Sequence, residues 1–102
     1  MKDAAVLTFN PWGDDDSDYR VLDNRMVVVR YSHDCAVCFE AIPPNARARA
    51  QREVWDGRAK TFYFCPTCCR AFGHVARTGR IEAVERRCEI GRRNAERQAV
   101  RA

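Results

Sequence analysis

The chain has 102 residues, 46% of them hydrophobic, and a formal net charge of +4 at pH 7. It contains no run of about 18 apolar residues, so the sequence predicts no membrane-spanning helix and no membrane partner. Its first residues lack the apolar segment of a secretory signal, and we therefore expect a single cytoplasmic domain.

Charge is distributed unevenly along the chain. Residues 1–34 hold seven acids and four bases, whereas residues 35–102 hold fourteen bases and seven acids. Sixteen of the eighteen basic residues are arginine, whose planar guanidinium suits phosphate and carboxylate groups. A general preference for arginine codons in the genome would give the same composition. Composition alone therefore does not decide whether the protein binds nucleic acid.

The N-terminal part predicts two strands separated by a loop. Residues 5–9 form a short apolar run that predicts a strand, and we expect Trp12 to pack against it. The acidic run from Asp14 to Asp18 predicts a solvated loop, because its spacing does not match an EF-hand calcium loop. Residues 26–32 are rich in β-branched side chains and predict the second strand.

Two CxxC pairs follow, with 26 residues between them: Cys35 and Cys38, then Cys65 and Cys68. Four thiolates in two such pairs can surround one zinc ion tetrahedrally, which predicts these four residues as ligands. A structural site of this kind leaves no coordination position for a substrate. A thioredoxin-like redox use of one pair would need a βαβ pattern that the chain lacks.

Other residues could compete for the metal. Cys69 could replace Cys68 on a helix, and His74 or His33 lies close enough in sequence to supply a nitrogen ligand. We prefer Cys68 because of its CxxC spacing and expect both histidines to be surface or capping residues.

The segment between the cysteine pairs predicts a β-hairpin. Asp56-Gly57 favours a tight turn, which joins predicted strands at 46–54 and 60–64. In the first strand, small side chains alternate with charged or polar ones. The small residues lie on one face: Ala46, Ala48 and Ala50. The charged or polar residues lie on the other face: Arg47, Arg49, Gln51 and Glu53.

Two helices are predicted after the hairpin. Pro66 suits the first turn of a helix and Gly79 its end, which predicts a helix over 66–78. A last helix is expected over about 80–99. Its narrow apolar stripe, in which Cys88 is expected to be a small core residue, consists of Ile81, Val84, Cys88, Gly91 and Ala95.

Over about residues 27–79 this order resembles a treble-clef zinc finger, with two CxxC pairs flanking a hairpin and the second pair opening a helix. The resemblance implies an α+β fold: a small zinc-stabilised domain of knuckle, β-hairpin and helix, with N-terminal strands and a C-terminal helix. Within a single domain over 1–102, we expect a strand and acidic loop in 1–25, the zinc-binding core in 26–79 and a basic helix in 80–102.

The basic part of the chain favours a non-enzymatic zinc module that contacts nucleic acid or a nucleoprotein complex. Glutamates interleave the last helix and weaken its positive charge. Trp55 at the hairpin tip either anchors a partner or packs back onto the sheet. The predicted partner surface consists of Trp55, Arg47, Arg49, Arg52, Arg58, Arg86 and Arg93.

The CxxC pairs, Ile42 and Trp55-Asp56-Gly57 are also similar to short zinc proteins that are common in bacteriophages. These proteins include inhibitors of bacterial defence, among them anti-CRISPR proteins, so this resemblance implies an adaptor or inhibitor that docks on a host protein complex. The CxxC, Ile and CxxC order also resembles the zinc finger of DksA/TraR-type transcription factors, which implies an RNA-polymerase partner. Here the spacer is longer and no coiled coil precedes it.

HNH nucleases also use treble clefs, but they bind a catalytic metal through paired histidines. This chain has only His33 and His74, and neither belongs to a His-His or Asp-His pair. We therefore expect that this protein has no catalytic activity.

Overall fold

The computed structural model describes residues 3–12 and 19–101, with the backbone alone for Asp3, Tyr19, Val100 and Arg101. The predicted acidic loop at Asp14 to Asp18 lies outside the described residues. The fold is α+β, with two small antiparallel sheets and three helices among the described residues. In chain order these elements are α1 (Asp3–Thr8), β1 (Tyr19–Val28), β2 (His33–Asp34), β3 (Ala41–Ile42), β4 (Arg47–Trp55), β5 (Arg58–Phe64), α2 (Pro66–Thr78) and α3 (Glu82–Arg101).

The main sheet has the order β1-β4-β5, and β2 pairs with β3 separately. The predicted hairpin is confirmed: β4 and β5 are joined by Asp56-Gly57, with φ of 49° and 79°. Positive φ at both central residues is the geometry of a tight hairpin turn that follows the right-handed twist of its strands.

Strand β1 was predicted over 26–32 but covers Tyr19–Val28. Its first half, a mixture of polar and apolar residues, pairs with β4 from Tyr19 opposite Trp55 to Arg25 opposite Ala50. The extent of β1 is therefore set by its partner strand, whereas the β-branched run that predicted it supplies only its last residues.

The predicted strand at residues 5–9 is wrong, because this segment forms helix α1. Arg49 on β4 donates through Nη1 to the carbonyl oxygens of Val6 (3.1 Å) and Phe9 (2.8 Å). Asn24 Nδ2 donates to Leu7 O at 2.9 Å. The last carbonyls of a helix lack partners within the helix, and a cation is favourable at that end. Hydrogen bonds from β4 and β1 thus stabilise α1, a short helix whose own sequence does not favour a helix strongly.

Arg49 was predicted on the partner surface, and the structure contradicts this: only 1% of it is exposed. Its guanidinium also donates to Asn24 Oδ1 (2.9 Å) and Gln51 Oε1 (2.7 Å), and it lies over the rings of Phe64 and Phe72. Burial lowers the pKa of Arg49 to about 10, so the side chain remains charged at neutral pH. Arg49 is a buried cation that holds the N-terminal segment against the sheet.

Glu53 lies on the same face of β4 and is fully buried. Its carboxylate accepts hydrogen bonds from Trp12 Nε1 (2.6 Å), Gln51 Nε2 (2.6 Å) and Trp55 Nε1 (2.7 Å). Buried carboxylates need such donors because they lose hydration. Trp55 is accordingly half-buried, and Trp12 packs edge-on against Phe62 of β5.

The predicted helix over 66–78 is confirmed as α2. Cys65 is its N-cap, Pro66 begins it, and Gly79 ends it with φ of 73° and an N–H bond to Val75 O at 2.7 Å. Phe72 of α2 packs on the inner face of the sheet, edge-on to Phe64 and stacked with Phe9. Among residues 3–12 and 19–101, no helix is both long enough and apolar enough to cross a membrane.

Replacing Arg49 by alanine is expected to destabilise the fold strongly. The change leaves Gln51 Oε1 and the carbonyls at the end of α1 without donors in a buried site, which costs roughly 3 kcal/mol in the free energy of unfolding. Arg52→Ala is the matched control, because Arg52 is an exposed arginine on the same strand and its loss should change stability by less than about 0.5 kcal/mol. Urea unfolding monitored by circular dichroism measures both values, and equal stabilities would contradict this role of Arg49.

Candidate metal centre

The sulfur atoms of the two CxxC pairs meet in the interior. The four Sγ atoms of Cys35, Cys38, Cys65 and Cys68 all lie within 4.8 Å of one another, and all four residues are buried. The Cys35–Cys68 and Cys38–Cys65 sulfur pairs are each 3.7 Å apart. Zinc–sulfur bonds of about 2.3 Å give a tetrahedron with edges of about 3.8 Å, whereas a disulfide needs about 2.0 Å. The two distances thus fit a tetrahedral metal site and exclude a disulfide.

The first pair lies on the turn between β2 and β3, called here the first cysteine turn (residues 35–39). Cys35 N donates to Glu40 O and Phe39 N donates to Cys35 O, both at 3.0 Å. Phe39 closes the turn with a φ of 58°. Ala36 N donates to Tyr63 O at 2.8 Å, which fastens this turn to β5. The turn therefore presents its cysteines toward the end of the strand that delivers the second pair.

The second pair lies at the junction of β5 and α2. Cys65 follows the last residue of β5, and Cys68 lies in the first turn of α2, so both sulfurs face the same side. Cys65 Sγ accepts from Cys68 N at 3.4 Å, and Cys35 Sγ accepts from Cys65 N at 3.3 Å. Backbone donors of this kind stabilise negative charge on sulfur.

Ionisation of the cluster is strongly coupled. Side-chain hydrogen bonds with Cys65 and Cys68 lower the pKa of Cys35, whereas burial raises the pKa of Cys38 to about 12. Four crowded, buried sulfurs cannot all carry negative charge without a neutralising cation. A divalent metal would supply that charge, and metal ligation requires the deprotonated thiolate.

Helix α3 packs against this cluster through Arg87, Gly91 and Asn94. Arg87 donates through Nε to Cys68 Sγ at 3.4 Å and forms an ion pair with Glu40 at 2.5 Å. Asn94 Nδ2 donates to Cys38 O at 2.8 Å. The spacing of four and then three residues places all three positions on one helix face. The sequence pattern does not reveal the roles of Arg87 and Asn94, because polar residues at helical spacing are typical of a solvent-exposed helix face.

Gly91 marks the closest approach of α3 to the first cysteine turn. A Cβ atom at this position would lie 1.8 Å from Val37 O, well inside van der Waals contact. Glycine is thus required by the distance between helix and turn.

The prediction that Cys88 belongs to the core is wrong, because this residue is exposed. The face of α3 that packs inward contains Val84, Arg87, Gly91 and Asn94. This face is rotated relative to the predicted apolar stripe, and Ile81, also in that stripe, is exposed as well.

The alternative ligands lie apart from the four sulfurs. Cys69 is buried, its Sγ donates to Phe64 O at 3.5 Å, and burial raises its pKa to about 11. His33 stacks on Tyr63 with ring centroids 3.8 Å apart, and His74 is half-buried on α2. Within the described residues, the group of metal-ligand side chains includes Cys68 and neither Cys69 nor a histidine.

Two of the predicted partner residues are turned inward, and a third is paired with an acid. Arg93 lies 3.5 Å from Glu89 on its own helix, Arg49 is buried, and Trp55 is turned toward Glu53. The remaining arginines of that set are exposed: Arg47, Arg52, Arg58 and Arg86.

These features define a small α+β domain with a buried four-cysteine cluster. No protein-family model, no curated protein and no solved structure matches the chain.

Replacing Gly91 by alanine is expected to destabilise the domain. At an exposed helical site this change would stabilise by about 1 kcal/mol, because alanine is the better helix former. Here the added methyl group meets Val37 O, so α3 must move away from the first cysteine turn and the melting temperature should fall. Arg97→Ala, at an exposed position of α3, should leave the melting temperature nearly unchanged. A melting temperature of Gly91→Ala equal to or above that of the parent protein would refute the tight contact.

Proposed function

We propose that this protein is a zinc-stabilised interaction module that contacts nucleic acid and has no catalytic activity. The observation that carries the zinc assignment is the cluster of four buried cysteine sulfurs, with two measured separations of 3.7 Å. A soft, all-thiolate, tetrahedral ligand set favours zinc over magnesium or calcium, which prefer oxygen ligands.

The elements around the cluster support a treble-clef-like core. The first cysteine turn, the β4–β5 hairpin and α2 follow one another in the order that this class of zinc finger uses, and Cys65 caps the helix that carries Cys68. All four ligand positions would be supplied by the protein, so the zinc would have a structural role.

Nucleic acid is the partner that the charge distribution supports best. Residues 35–102 carry twice as many bases as acids, and most of these bases are arginine. Arg47, Arg52 and Arg58 expose their side chains along the hairpin, where they can reach phosphate groups. Docking of a host protein through Trp55 has less support, because the indole N–H is bound to the buried Glu53.

The zinc assignment predicts one zinc ion per chain in protein purified without added metal. Cys35→Ser removes one ligand and should lose both the metal and the cooperative unfolding transition, because metal binding contributes to the free energy of folding. Cys88→Ser removes an exposed thiol and Cys69→Ser a buried thiol outside the cluster, so both should retain one zinc. Native mass spectrometry gives the stoichiometry. A Cys35→Ser protein with parental melting temperature and spectra would refute the structural zinc site.

The nucleic-acid assignment predicts an affinity that falls steeply as salt is added. Each phosphate that an arginine neutralises releases counterions, so the logarithm of the binding constant falls linearly with the logarithm of salt concentration. Fluorescence anisotropy with labelled oligonucleotides of random sequence, single-stranded and double-stranded, measures this slope on the zinc-loaded protein. Absence of binding to both probes at low salt would refute a nucleic-acid partner.

A further inference from the structure

The sheet face that points away from α1 and α2 forms a groove of about 410 Å³. Directly paired residues on neighbouring strands share a face. Asp23, Arg52 and Thr61 are paired across the three strands, and so are Arg25, Ala50 and Tyr63. These residues alternate with the ones that contact the two helices, and they line the groove. The groove thus lies on the uncovered side of the sheet and is also lined by residues 29–31, in the bend that follows β1.

The groove carries positive charge. Arg25, Arg30 and Arg52 line it together with one acid, Asp23, which forms an ion pair with Arg25 at 3.1 Å. Arg30 and Arg52 are exposed and form no ion pair within the described part of the chain. Asp23 lies opposite Arg52 on the neighbouring strand, but the three arginines outnumber this single acid, so the groove keeps a positive charge that can bind phosphate groups through the planar guanidinium forks.

Aromatic rings lie among these arginines. Tyr31 is 75% exposed, an unusual position for a large ring. Tyr63 lies on β5, and its ring stacks on His33 at a centroid distance of 3.8 Å and an interplanar angle of 18°. Tyr63 is half-buried, and His33 covers one face of its ring, so the other face is the one that a base could contact. Aromatic rings beside cationic side chains bind unpaired bases by stacking and by cation–π contacts.

The first cysteine turn holds the Tyr63 and His33 pair in place. Cys35 forms a β-bridge with Tyr63, and Ala36 N donates to Tyr63 O. His33 lies on β2, which leads directly into Cys35. One wall of the groove is therefore fixed by the same turn that presents two of the four sulfurs.

We propose that this groove binds single-stranded nucleic acid, with bases stacked on Tyr31 and Tyr63 and phosphates bound by Arg30 and Arg52. The proposal rests on the proposed function and specifies both the surface and the form of the partner. A duplex keeps its bases paired and stacked inside a wide cylinder, so it can offer neither a free base face nor a segment narrow enough to enter the groove.

The test uses the zinc-loaded protein and a fluorescein-labelled oligo(dT) of about 12 nucleotides, measured by fluorescence anisotropy. Tyr31→Ala should weaken binding roughly tenfold, because one stacking contact is lost, with little effect on the salt slope. Arg52→Ala should weaken binding and reduce the salt slope by about 0.7, the value for one phosphate contact on a single strand. Arg77→Ala is the control, because it removes the same charge from an exposed site on α2 outside the groove.

The possible results distinguish a failure of the groove proposal from a failure of the proposed nucleic-acid partner. Salt-dependent binding that Tyr31→Ala and Arg52→Ala leave unchanged would overturn the groove and leave a nucleic-acid partner standing. Absence of binding by every probe would refute both. Tighter binding of a duplex with the same dT strand, or an equal affinity for free dTMP, would overturn the assignment to a single strand. Matching circular dichroism spectra and zinc content would show that the variants are folded.

Discussion

The convergence of four cysteine sulfurs is the constraint on which the rest of this fold depends. It joins the first cysteine turn to the junction of β5 and α2, two segments separated by the whole hairpin. Because the turn is also bound to Tyr63 of β5 and packed against α3, the cluster fixes the relative positions of three elements. In a domain of this size, where the apolar core is modest, a metal cross-link can contribute much of the stability.

The inner face of β4 is buried although its side chains are charged or polar, so each polar group needs a hydrogen-bond partner inside the protein. Arg49, Gln51 and Glu53 form a continuous hydrogen-bonded row under α1 and the Trp12 segment. No buried side-chain nitrogen or oxygen in the described residues lacks a partner. Such a network is costly to desolvate, so its hydrogen bonds must all be made together when the N-terminal segment packs on the sheet.

Local signals in the sequence predict the features that are set by short-range geometry. Asp56-Gly57 determines the hairpin, Pro66 and Gly79 delimit α2, and CxxC spacing brings sulfurs together in pairs. The wrong predictions, of a strand at 5–9 and of the bounds of β1, share one cause: contacts with residues distant in sequence override the local secondary-structure preference. An arginine from β4 stabilises α1, and the partner strand extends β1 toward the N-terminus, beyond the β-branched run.

The orientation of α3 shows the same effect at the metal centre. Hydrophobic periodicity predicts that a stripe through Cys88 faces the core. In the structure Arg87 and Asn94 face inward instead, because they donate to Cys68 Sγ and Cys38 O. No helical pattern in the sequence reveals those acceptors, since they belong to the first cysteine turn.

The shared use of this turn links the proposed metal site to the proposed groove. Four thiolates around one zinc ion would carry two net negative charges, which Arg87 and the backbone donors near the sulfurs would partly offset. The same turn holds His33 and Tyr63 in the groove wall. If zinc orders this turn, a ligand that binds only the ordered turn would also favour zinc retention, because coupling between two sites is reciprocal. The metal centre would thus pre-organise a surface that the strands alone position only in part.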